Sequence, residues 1–354
     1  MKILIISDAW EPQVNGVVRT YQALRHELKQ LGHIVKIIGP NDFTPAIPML
    51  GYGEIKLAVL PDFKLIRMIK DFAPDSIHIA TEGPLGWAAR RYCKIKKYPF
   101  TTCYHTKFPD YVAERVAKLA PKLERPSFIL SKEVIRTFHN ASSCVLVTTS
   151  TVEKQLREFG INVPIEQFTR GIDAKIFHKG AKNLFQDLPR PIALYVGRLA
   201  IEKNIEAFLD MEWHGSKVLV GGGPDEKWLK KKYQNAHFVD KQDGESLGDH
   251  YRSADIFVFP SRTDTFGMVL VEALACGLPI AAHPVMGPID VVTDKRLGCL
   301  SDDLAQAAQE ALNKASPLYC SDHARDYYSW RLAANQFLEA QETSLIKHPQ
   351  KASV

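Results

Sequence analysis

The stretch Ile3-Leu4-Ile5-Ile6-Ser7-Asp8, which follows Met1 and Lys2, is a short apolar run closed by an aspartate. It is too short for the apolar segment of a signal peptide and is typical of a first β-strand. Next come a predicted helix at residues 17–31, with leucines at helical spacing, and an apolar second strand at 34–38. This strand–helix–strand order predicts an α/β fold.

The same alternation continues along the chain. Further strands are predicted at residues 76–79, 100–104 and 144–148. After a polar, Lys-rich passage at 174–188 the pattern restarts, with strands at 192–196, 217–220, 237–239, 256–259 and 279–282. Short apolar runs bounded by Gly and Pro suit parallel strands buried on both faces. We therefore predict two Rossmann-like domains, residues 1–172 and 185–320, followed by a helix at 321–345.

Composition supports two globular domains. The chain has 354 residues, of which 45% are hydrophobic and 24% charged, and this length exceeds the usual size of a single core. No apolar run approaches the ~20 residues that a membrane-spanning helix needs. The six cysteines form no C-x-x-C pair and are expected to be reduced thiols, with neither a disulfide nor a zinc site. These features predict a cytoplasmic protein.

Charge is distributed unevenly. Residues 1–175 carry 25 Lys and Arg against 17 Asp and Glu, whereas the remainder carries 20 against 23. A basic first half could attract phosphates, nucleic acid or an anionic membrane. Its densest cluster comprises Arg90, Arg91, Lys94, Lys96 and Lys97. This cluster is either a solvated helix end or a weak peripheral contact with the membrane. Nucleic acid is not expected, because no recognised binding module is present.

The turn after the first strand contains Asn15-Gly16 and leads into the predicted helix. An Asn-Gly step can adopt positive φ and turn backbone N–H groups toward an anion or a sugar. An ordinary βα turn explains the same residues and, on this motif alone, explains them better. No G-x-G-x-x-G follows any predicted strand, which disfavours a nicotinamide dinucleotide.

Two loops of the second half have features of a phosphate site. Arg198 and Lys203 follow the strand at 192–196. Two cations at the carboxyl edge of a parallel strand can clamp a diphosphate. The run Gly221-Gly222-Gly223-Pro224 follows the next strand and would let backbone approach a ligand closely.

The most informative stretch is FPSRTDTFGMVLVEALACGLP, residues 259–279. It predicts a strand, a turn and a helix, and the turn's N–H groups would point at a phosphate or a developing anion. Asp264 could accept hydrogen bonds from sugar hydroxyls. Glu272 lies in an apolar helix, where its burial is costly unless a ligand or a protein donor bonds it, and a ribose diol is a plausible donor. The turn residues are Thr265, Phe266, Gly267, Met268 and Val269.

Taken together, these motifs make the sequence resemble, over nearly its whole length, the retaining group 1 (family 4) nucleotide-sugar glycosyltransferases. The family's acid, seven residues, Glu pattern is present as Asp264 and Glu272, with Asp in place of the commoner first Glu. The stretch from Gly197 to Lys203 matches the family's diphosphate-binding segment. Gly222-Gly223-Pro224 matches its Gly-acid-Gly-Pro turn with the acid missing, and Asp240 stands where a glycine is commoner.

The resemblance implies the GT-B fold, in which two Rossmann-like domains have parallel sheets facing across a cleft and the last helix, from about Trp330, crosses back to the first domain. It implies that Arg198 and Lys203 neutralise the donor's pyrophosphate, that Asp264 holds the sugar and that Glu272 binds the ribose. The other donor-binding residues that it implies are Asn15, Gly16, Gly223, Pro224 and residues 265–269.

His105 follows a predicted strand and is, with Asp264, the expected catalytic residue. A lone histidine is more often structural, but members of the family place one here, near the reacting centre. Glu82 and Arg170 lie in stretches that also match and are candidate cleft residues, although a hinge-stabilising ion pair explains Arg170 equally well. These stretches look most like the branch of bacterial α-mannosyltransferases and of sulfoquinovosyl- and glucosyl-diacylglycerol synthases, which act on lipids.

The sequence therefore predicts a glycosyltransferase that moves a hexose from a UDP- or GDP-linked sugar to an acceptor hydroxyl of a membrane lipid, such as diacylglycerol or a glycolipid, on the inner face of the membrane. No Asp-x-Asp occurs, so no metal or other cofactor is expected. Retention is implied by the resemblance alone. The alternatives are transfer to a non-lipid glycan, a nucleotide-sugar epimerase of the same fold, and a non-catalytic carbohydrate-binding protein.

Overall fold

The computed structural model describes residues 1–13, 15–49, 52–105, 108–262, 264 and 266–347. The chain divides into two compact units. The first unit comprises residues 1–169 and the tail from Ala333 onward, and the second comprises residues 170–332. The predicted end of the first domain, residue 172, is three residues beyond the end of this unit at Thr169. Of the predicted C-terminal helix at 321–345, residues 321–332 lie in the second unit and residues 333–345 in the first.

Strands and helices alternate along both units. The strands are β1 (Lys2–Ile6), β2 (Ile34–Ile38), β3 (Ala46–Met49), β4 (Tyr52–Ala58), β5 (Ser76–Ile79), β6 (Phe100–Cys103), β7 (Cys144–Val147), β8 (Ile165–Gln167), β9 (Ile192–Val196), β10 (Ser216–Val220), β11 (His237–Val239), β12 (Ile256–Phe259), β13 (Ile280–Ala282) and β14 (Gly298–Leu300). The helices are α1 (Gly16–Gln30), α2 (Asp62–Phe72), α3 (Pro84–Lys96), α4 (Phe108–Leu119), α5 (Glu124–His139), α6 (Ser150–Glu158), α7 (Ile205–Asp210), α8 (Glu226–Lys232), α9 (Gly244–Ser253), α10 (Met268–Ala275), α11 (Pro288–Val291), α12 (Leu304–Lys314), α13 (Pro317–Tyr327) and α14 (Trp330–Lys347).

The first unit contains a six-stranded parallel sheet in the order β2-β1-β5-β6-β7-β8. Apolar side chains such as Leu4 and Ile79 pack with Leu85 of α3 in its core. The predicted strands at 3–6, 34–38, 76–79, 100–104 and 144–148 correspond to β1, β2, β5, β6 and β7. The strand pattern does not reveal β8 or the antiparallel pair β3–β4, because β4 and β8 mix polar with apolar residues and a proline interrupts β3.

The second unit contains another six-stranded parallel sheet, in the order β11-β10-β9-β12-β13-β14. Its core includes Leu194, Val218 and Phe257. The predicted strands of this half correspond to β9 through β13. The sequence analysis missed β14, a short strand that begins at a glycine.

Both sheets contain a change of strand order beside their first strand. β1 lies between β2 and β5, and β9 lies between β10 and β12. Ligands of open α/β sheets bind beyond the carboxyl ends of the strands at such a switch point. Each unit is therefore expected to bind a ligand at the carboxyl edge of its sheet. In the first unit this edge carries the loops after β1, β5 and β6, and in the second unit the loops after β9, β10 and β12.

No helix in the described ranges is both long enough and apolar enough to span a membrane.

Candidate active site

Lys203 and Asp264 form an ion pair at the carboxyl edge of the second sheet. Lys203 ends a 3₁₀ turn after β9, and Asp264 lies in the loop after β12. The Lys203 Nζ lies 2.6 Å from the Asp264 Oδ2, and the two side chains are 26% and 25% exposed. The amide of Asn204 also joins the two loops, because its Nδ2 donates to the Pro260 carbonyl oxygen at 3.0 Å. A cation is thus held at this edge with a carboxylate already beside it.

The ion pair adds a contact that the sequence does not predict. The resemblance implies that Lys203 binds the diphosphate and that Asp264 holds the sugar, as two separate contacts. Since the two groups bond each other, a ligand that uses either one has to share or displace that bond.

Arg198 lies on the same loop but is held loosely. Its side chain is 61% exposed, and its guanidinium lies 3.9 Å from a Glu202 carboxylate oxygen. An exposed pair at that distance contributes little to stability. The backbone beneath it is fixed, because the Tyr195 hydroxyl donates to the Arg198 carbonyl oxygen at 2.9 Å. The guanidinium can therefore turn toward an anion while its Cα stays in place.

The glycine run after β10 packs against this cationic loop. A Cβ on Gly221 would lie 1.9 Å from the Gly197 carbonyl oxygen, and one on Gly223 would lie 2.2 Å from that of Leu199. The Leu199 N–H also donates to the Gly222 carbonyl oxygen at 3.0 Å. These glycines are therefore required for close contact between the two loops. Pro224 follows them and is exposed.

The loop after β12 enters α10 through a glycine in the left-handed region. Gly267 has φ 79°, and a Cβ there would lie 2.9 Å from Cδ1 of Leu270, so both conformation and space call for glycine. Met268 and Val269 are the first residues of α10. Backbone N–H groups in a first turn lack intrahelical acceptors and carry the positive end of the helix dipole. The turn is therefore suited to an anion.

Phe266 of this turn is buried, with its ring 5.8 Å from that of Tyr328 in an edge-to-face contact. It therefore anchors the turn to the core of the second unit. Thr265 lies outside the described residues.

Glu272 is buried in α10 and bonded to a protein donor. The hydroxyl of Tyr251, which is fully buried, donates to the Glu272 Oε2 at 2.9 Å. Burial, and then the charge of Glu272, raise the pKa of Tyr251 well above its usual value, so the phenol keeps its proton. The sequence analysis offered a ribose diol as a donor to this carboxylate, whereas Tyr251 already supplies one.

Asn15 caps the N-terminus of α1. Its Oδ1 accepts from the N–H groups of Val17 and Val18, each at 3.0 Å, and its φ is −148°. The positive φ that an Asn-Gly step can adopt does not occur here, because Asn15 has the extended backbone of an N-cap. The residues form the ordinary βα turn that this motif alone favoured. Gly16 begins the helix with nothing within 4 Å of its missing Cβ.

His105 lies two residues beyond the carboxyl end of β6. Its Nε2 lies 2.8 Å from the hydroxyl oxygen of Tyr21, which projects from α1 and is fully buried. Its Nδ1 lies 3.8 Å from the Cys103 Sγ. The His105 ring is half-buried, and Tyr21 and Cys103, whose side chains contact its nitrogens, both belong to the core of the first unit.

Glu82 and Arg170 both lie in packed surroundings. The Glu82 Oε1 lies 3.1 Å from the Nε2 of His139, a fully buried ring whose Nδ1 lies 2.9 Å from the Thr102 Oγ1. Arg170 is buried at the start of the second unit. Glu82 thus has a protein partner, and Arg170 is not a solvent-facing cation.

The sequence analysis missed Asp8, a buried carboxylate at the end of β1. It accepts from the Thr81 hydroxyl at 3.0 Å and from the N–H groups of Leu85 and Gly86 at 2.9 and 3.3 Å. Asp8, which follows β1, therefore caps the N-terminus of α3. Burial raises the pKa of its carboxyl to about 6. A Cβ on Gly83 would lie 2.3 Å from the Asp8 Cγ. The aspartate that closes the first apolar run was the available signal.

The five-cation cluster is not one surface. Arg90 is buried: its Nε and Nη2 donate to the carbonyl oxygens of Phe138 and Thr137 at 3.2 and 2.7 Å, and its guanidinium lies 4.9 Å from the centre of the Trp87 ring. Arg91 bonds the Asp62 carboxylate at the start of α2, with its Nε 3.1 Å from the Oδ1. The prediction that Arg90 contacts a membrane is wrong, because its guanidinium is bonded in the core. Arg91 is exposed although paired with Asp62, and Lys94, Lys96 and Lys97 are exposed as well.

Within the described ranges, no three His, Cys, Asp or Glu side chains lie together in a way that could hold a metal ion.

The chain has two α/β units, each with a six-stranded parallel sheet, and the second has the Lys203–Asp264 pair and the N-terminus of α10 at the carboxyl edge of its sheet. This architecture is that of the GT-B glycosyltransferases. The fold agrees with a solved structure of sucrose-phosphate synthase from Thermosynechococcus elongatus, which has a TM-score of 0.76 and 20% identity over 98% of this chain and 100% of that chain.

The family follows from two matches. Residues 181–326 match the family described as Glycosyl transferases group 1, and residues 14–175 match Glycosyltransferase Family 4. Together the two matches cover most of the chain, which belongs to the group 1 (family 4) glycosyltransferases and is a transferase enzyme.

Two relatives span nearly the whole chain. A GDP-mannose-dependent alpha-mannosyltransferase of Corynebacterium glutamicum is 29% identical over 374 residues, which covers 98% of this chain and 88% of that protein. An alpha-monoglucosyldiacylglycerol synthase of Streptococcus pneumoniae is 28% identical over 380 residues, which covers 95% of this chain and 83% of that protein.

Proposed function

We propose that this enzyme transfers a hexose from a UDP- or GDP-linked sugar to a hydroxyl of a membrane lipid, such as diacylglycerol or a glycolipid, with retention of anomeric configuration and without a metal. The Lys203–Asp264 pair at the carboxyl edge of the second sheet carries the donor part of this proposal. The two relatives support the choice of donor and acceptor, since one is named for GDP-mannose and the other for glucosyldiacylglycerol.

The donor's diphosphate binds to the second unit. Arg198 turns from its loose contact with Glu202 to the phosphate oxygens, and Lys203 adds a point charge beside it. The first N–H groups of α10 and the helix dipole bind the same anion. These groups neutralise the leaving diphosphate in the way that a metal ion does in other transferases. Arrival of the diphosphate weakens the hold of Lys203 on Asp264, which frees that carboxylate to accept from sugar hydroxyls.

Two further residues are assigned to the rest of the donor. Glu272, oriented by the Tyr251 hydroxyl, accepts from the ribose. His105 contacts the sugar near its anomeric carbon. The bond from that carbon to the diphosphate oxygen breaks, a bond to the acceptor oxygen forms on the same face, and the acceptor's proton passes to a departing phosphate oxygen.

The membrane contact of this proposal uses a smaller and more apolar surface than the five-cation cluster. Lys94, Lys96 and Lys97 at the end of α3 are exposed, and Ile95 between them is 76% exposed. The Arg91–Asp62 pair joins α3 to the start of α2, where Phe63 is 91% exposed. We call Phe63 and residues 94–97 the lysine face. Each lysine near an anionic lipid surface contributes about 1 kcal/mol, and the apolar side chains can enter the headgroup layer.

A donor and acceptor screen tests the catalytic part. The purified chain is incubated with UDP- and GDP-sugars and a total lipid extract, with and without EDTA, and the products are read by mass spectrometry. We expect one free nucleoside diphosphate and one glycosylated lipid, equally with and without EDTA. An isomerised donor would identify an epimerase, and binding without turnover a carbohydrate-binding protein. Glycosylation of added soluble glycans alone would reject the lipid acceptor.

Vesicle sedimentation tests the lysine face. In the test variant Lys94, Lys96 and Lys97 become Gln. In the control variant Lys227, Lys230 and Lys231, which are exposed residues of α8 in the second unit, become Gln, so that net charge falls equally. We expect the test variant alone to lose at least tenfold in binding to vesicles of anionic lipid at low salt. Equal binding by the two variants would reject the surface.

A further inference from the structure

A continuous chain of hydrogen bonds leads from His105 into the core of the first unit. The Tyr21 hydroxyl lies 2.8 Å from the His105 Nε2 and 2.8 Å from the His78 Nε2. The His78 Nδ1 lies 2.7 Å from the Thr101 Oγ1, which accepts from the Gln341 Nε2 at 2.7 Å. We call Tyr21, His78, Thr101 and Gln341 the relay. Its members come from α1, β5, β6 and α14.

Every member of the relay is fully buried. His78 and Thr101 are direct cross-strand partners in the β5–β6 register, so the sheet itself fixes their contact. The Gln341 Oε1 accepts from the Ser76 hydroxyl, which anchors the far end of the relay to the same strand as His78. A donor or acceptor left unmatched at such a position costs about 1–3 kcal/mol, so each proton has a preferred place.

His78 carries one ring proton. Burial lowers its pKa to about 3, so the imidazole is neutral at physiological pH. A neutral imidazole donates at one nitrogen and accepts at the other. Whatever decides the role of Nδ1 therefore decides the role of Nε2 as well.

The amide at the far end sets the direction. The Gln341 Nε2 donates to the Thr101 Oγ1, so the Thr101 hydroxyl donates its own hydrogen to the His78 Nδ1. The His78 Nε2–H then donates to the Tyr21 hydroxyl oxygen, and the Tyr21 hydroxyl donates to the His105 Nε2. His105 consequently carries its proton on Nδ1.

We propose that the relay fixes the orientation and the Nδ1–H tautomer of His105, which makes Tyr21, His78, Thr101 and Gln341 positioning residues for the transfer reaction. The kinetic consequence rests on the proposed function, in which His105 contacts the donor sugar. The tautomer itself does not, because it is a property of the free enzyme.

Selective ¹⁵N labelling of the histidines tests the tautomer. Two-bond ¹H–¹⁵N correlation spectra distinguish which ring nitrogen is protonated, and His105→Gln and His78→Gln spectra assign the two rings. We expect the proton of His105 on Nδ1 and that of His78 on Nε2 at neutral pH. A His78 ring protonated on Nδ1 would reverse the direction and overturn the proposal.

Threonine variants test whether the effect is transmitted. Thr101→Val removes one buried hydroxyl and Thr101→Ser restores it. Thr102→Val is the matched control, because Thr102 is the next residue of the same strand, is equally buried and bonds His139 instead. We expect Thr101→Val to turn the single tautomer of His105 into a mixture, Thr101→Ser to restore it, and Thr102→Val to leave it unchanged. Should Thr101→Val not fold, Tyr21→Phe removes only the last hydroxyl of the relay and is expected to have the same effect on His105.

Kinetics separate positioning from general damage. We expect Thr101→Val to lower kcat by about tenfold while the donor KM changes less than twofold, because the ring is displaced but the donor unit is intact. An unaltered His105 tautomer in Thr101→Val and Tyr21→Phe would overturn the relay. An enzyme that glycosylates no lipid would reject the proposed function and leave the spectra as evidence on the relay.

Discussion

The two sheets bury different kinds of side chain. In the second unit, the central strands β9, β12 and β13 consist of apolar residues, and the groups suited to a ligand lie in the loops beyond them. In the first unit, the central strands β5 and β6 bury polar groups within the sheet, among them His78, Thr101 and Thr102. In the second unit the candidate ligand-binding groups are therefore separate from the apolar core, whereas in the first unit polar groups of the core are hydrogen-bonded to the candidate site residue His105.

This difference predicts how each unit responds to substitution. Loss of a loop residue in the second unit removes a ligand contact and leaves the core unchanged. Loss of a polar group in the first unit disturbs both a contact and the core, because a buried partner becomes unmatched. The predictions below test this contrast in order of expected size.

The largest effect is expected for Lys203→Met. Removing a preorganised charge from the proposed leaving diphosphate is expected to lower kcat/KM by about 1,000-fold. The free energy of unfolding should fall far less, by the cost of leaving the Asp264 carboxylate without its partner. Lys182→Met is the control, since Lys182 bonds Asp255 next to the amino end of β12, the opposite edge of the same sheet. Transfer rates and urea denaturation measure both, and equal activity of the two variants would remove Lys203 from the site.

Asp8 makes stability depend on pH in the unusual direction. Its pKa is raised to about 6 from 3.8, so between about pH 4 and 6 the folded state holds a proton that the unfolded state has lost. Stability from this group therefore increases as pH falls through that window, by up to about 3 kcal/mol. Urea denaturation of the native chain and of Asp8→Asn at several pH values isolates it, and a difference between the two that does not change with pH would contradict the buried charge.

His105→Ala is expected to lower kcat by about 100-fold and to change donor affinity by less than threefold, because its proposed contact with the donor is near the reacting carbon. Transfer assays give kcat, and calorimetry with UDP or GDP gives the affinity. The control is His26→Ala, an exposed histidine of α1, which should leave both unchanged. An equal loss in binding and turnover would assign His105 to donor binding instead.

The smallest effect is expected for Tyr251→Phe, which leaves the buried Glu272 carboxylate without the phenol donor. Stability should fall by about 1–2 kcal/mol with a smaller change in donor affinity, because the carboxylate stays in the second unit's core. Glu272→Gln, which removes the charge but keeps the shape, should lose donor affinity with less change in stability. Identical profiles for the two variants would show that the pair is structural only.

The sequence predicted the second unit well because its features are local. Strand, turn and helix follow one another in residues 259–279, so Asp264 and Glu272 could be placed on their elements from spacing alone. The partners of these residues could not, because Lys203 and Tyr251 come from other strands and helices whose side chains meet only after folding. Local order predicts position, and tertiary contact decides which groups bond.

The first unit shows why exposure and long-range contact are harder to predict. A run of basic residues suggested one charged surface. Arg90 nevertheless points inward, because carbonyl oxygens near the end of α5 accept hydrogen bonds from its guanidinium. The relay escaped prediction for a related reason. Gln341 lies 240 residues from Thr101 in sequence, so no spacing rule could connect them.

The position of α14 has a consequence for synthesis. From Ala333 onward it belongs to the first unit, where Phe337 packs 5.0 Å from the His78 ring and 5.9 Å from Phe168, between ring centroids. During translation the amino-terminal portion leaves the ribosome first, and domains generally fold in that order. The first unit cannot complete its core until residues 333–347 have been made, whereas the second unit is complete at residue 332. A chain truncated after residue 332 should therefore hold a folded second unit and a loosened, protease-sensitive first unit.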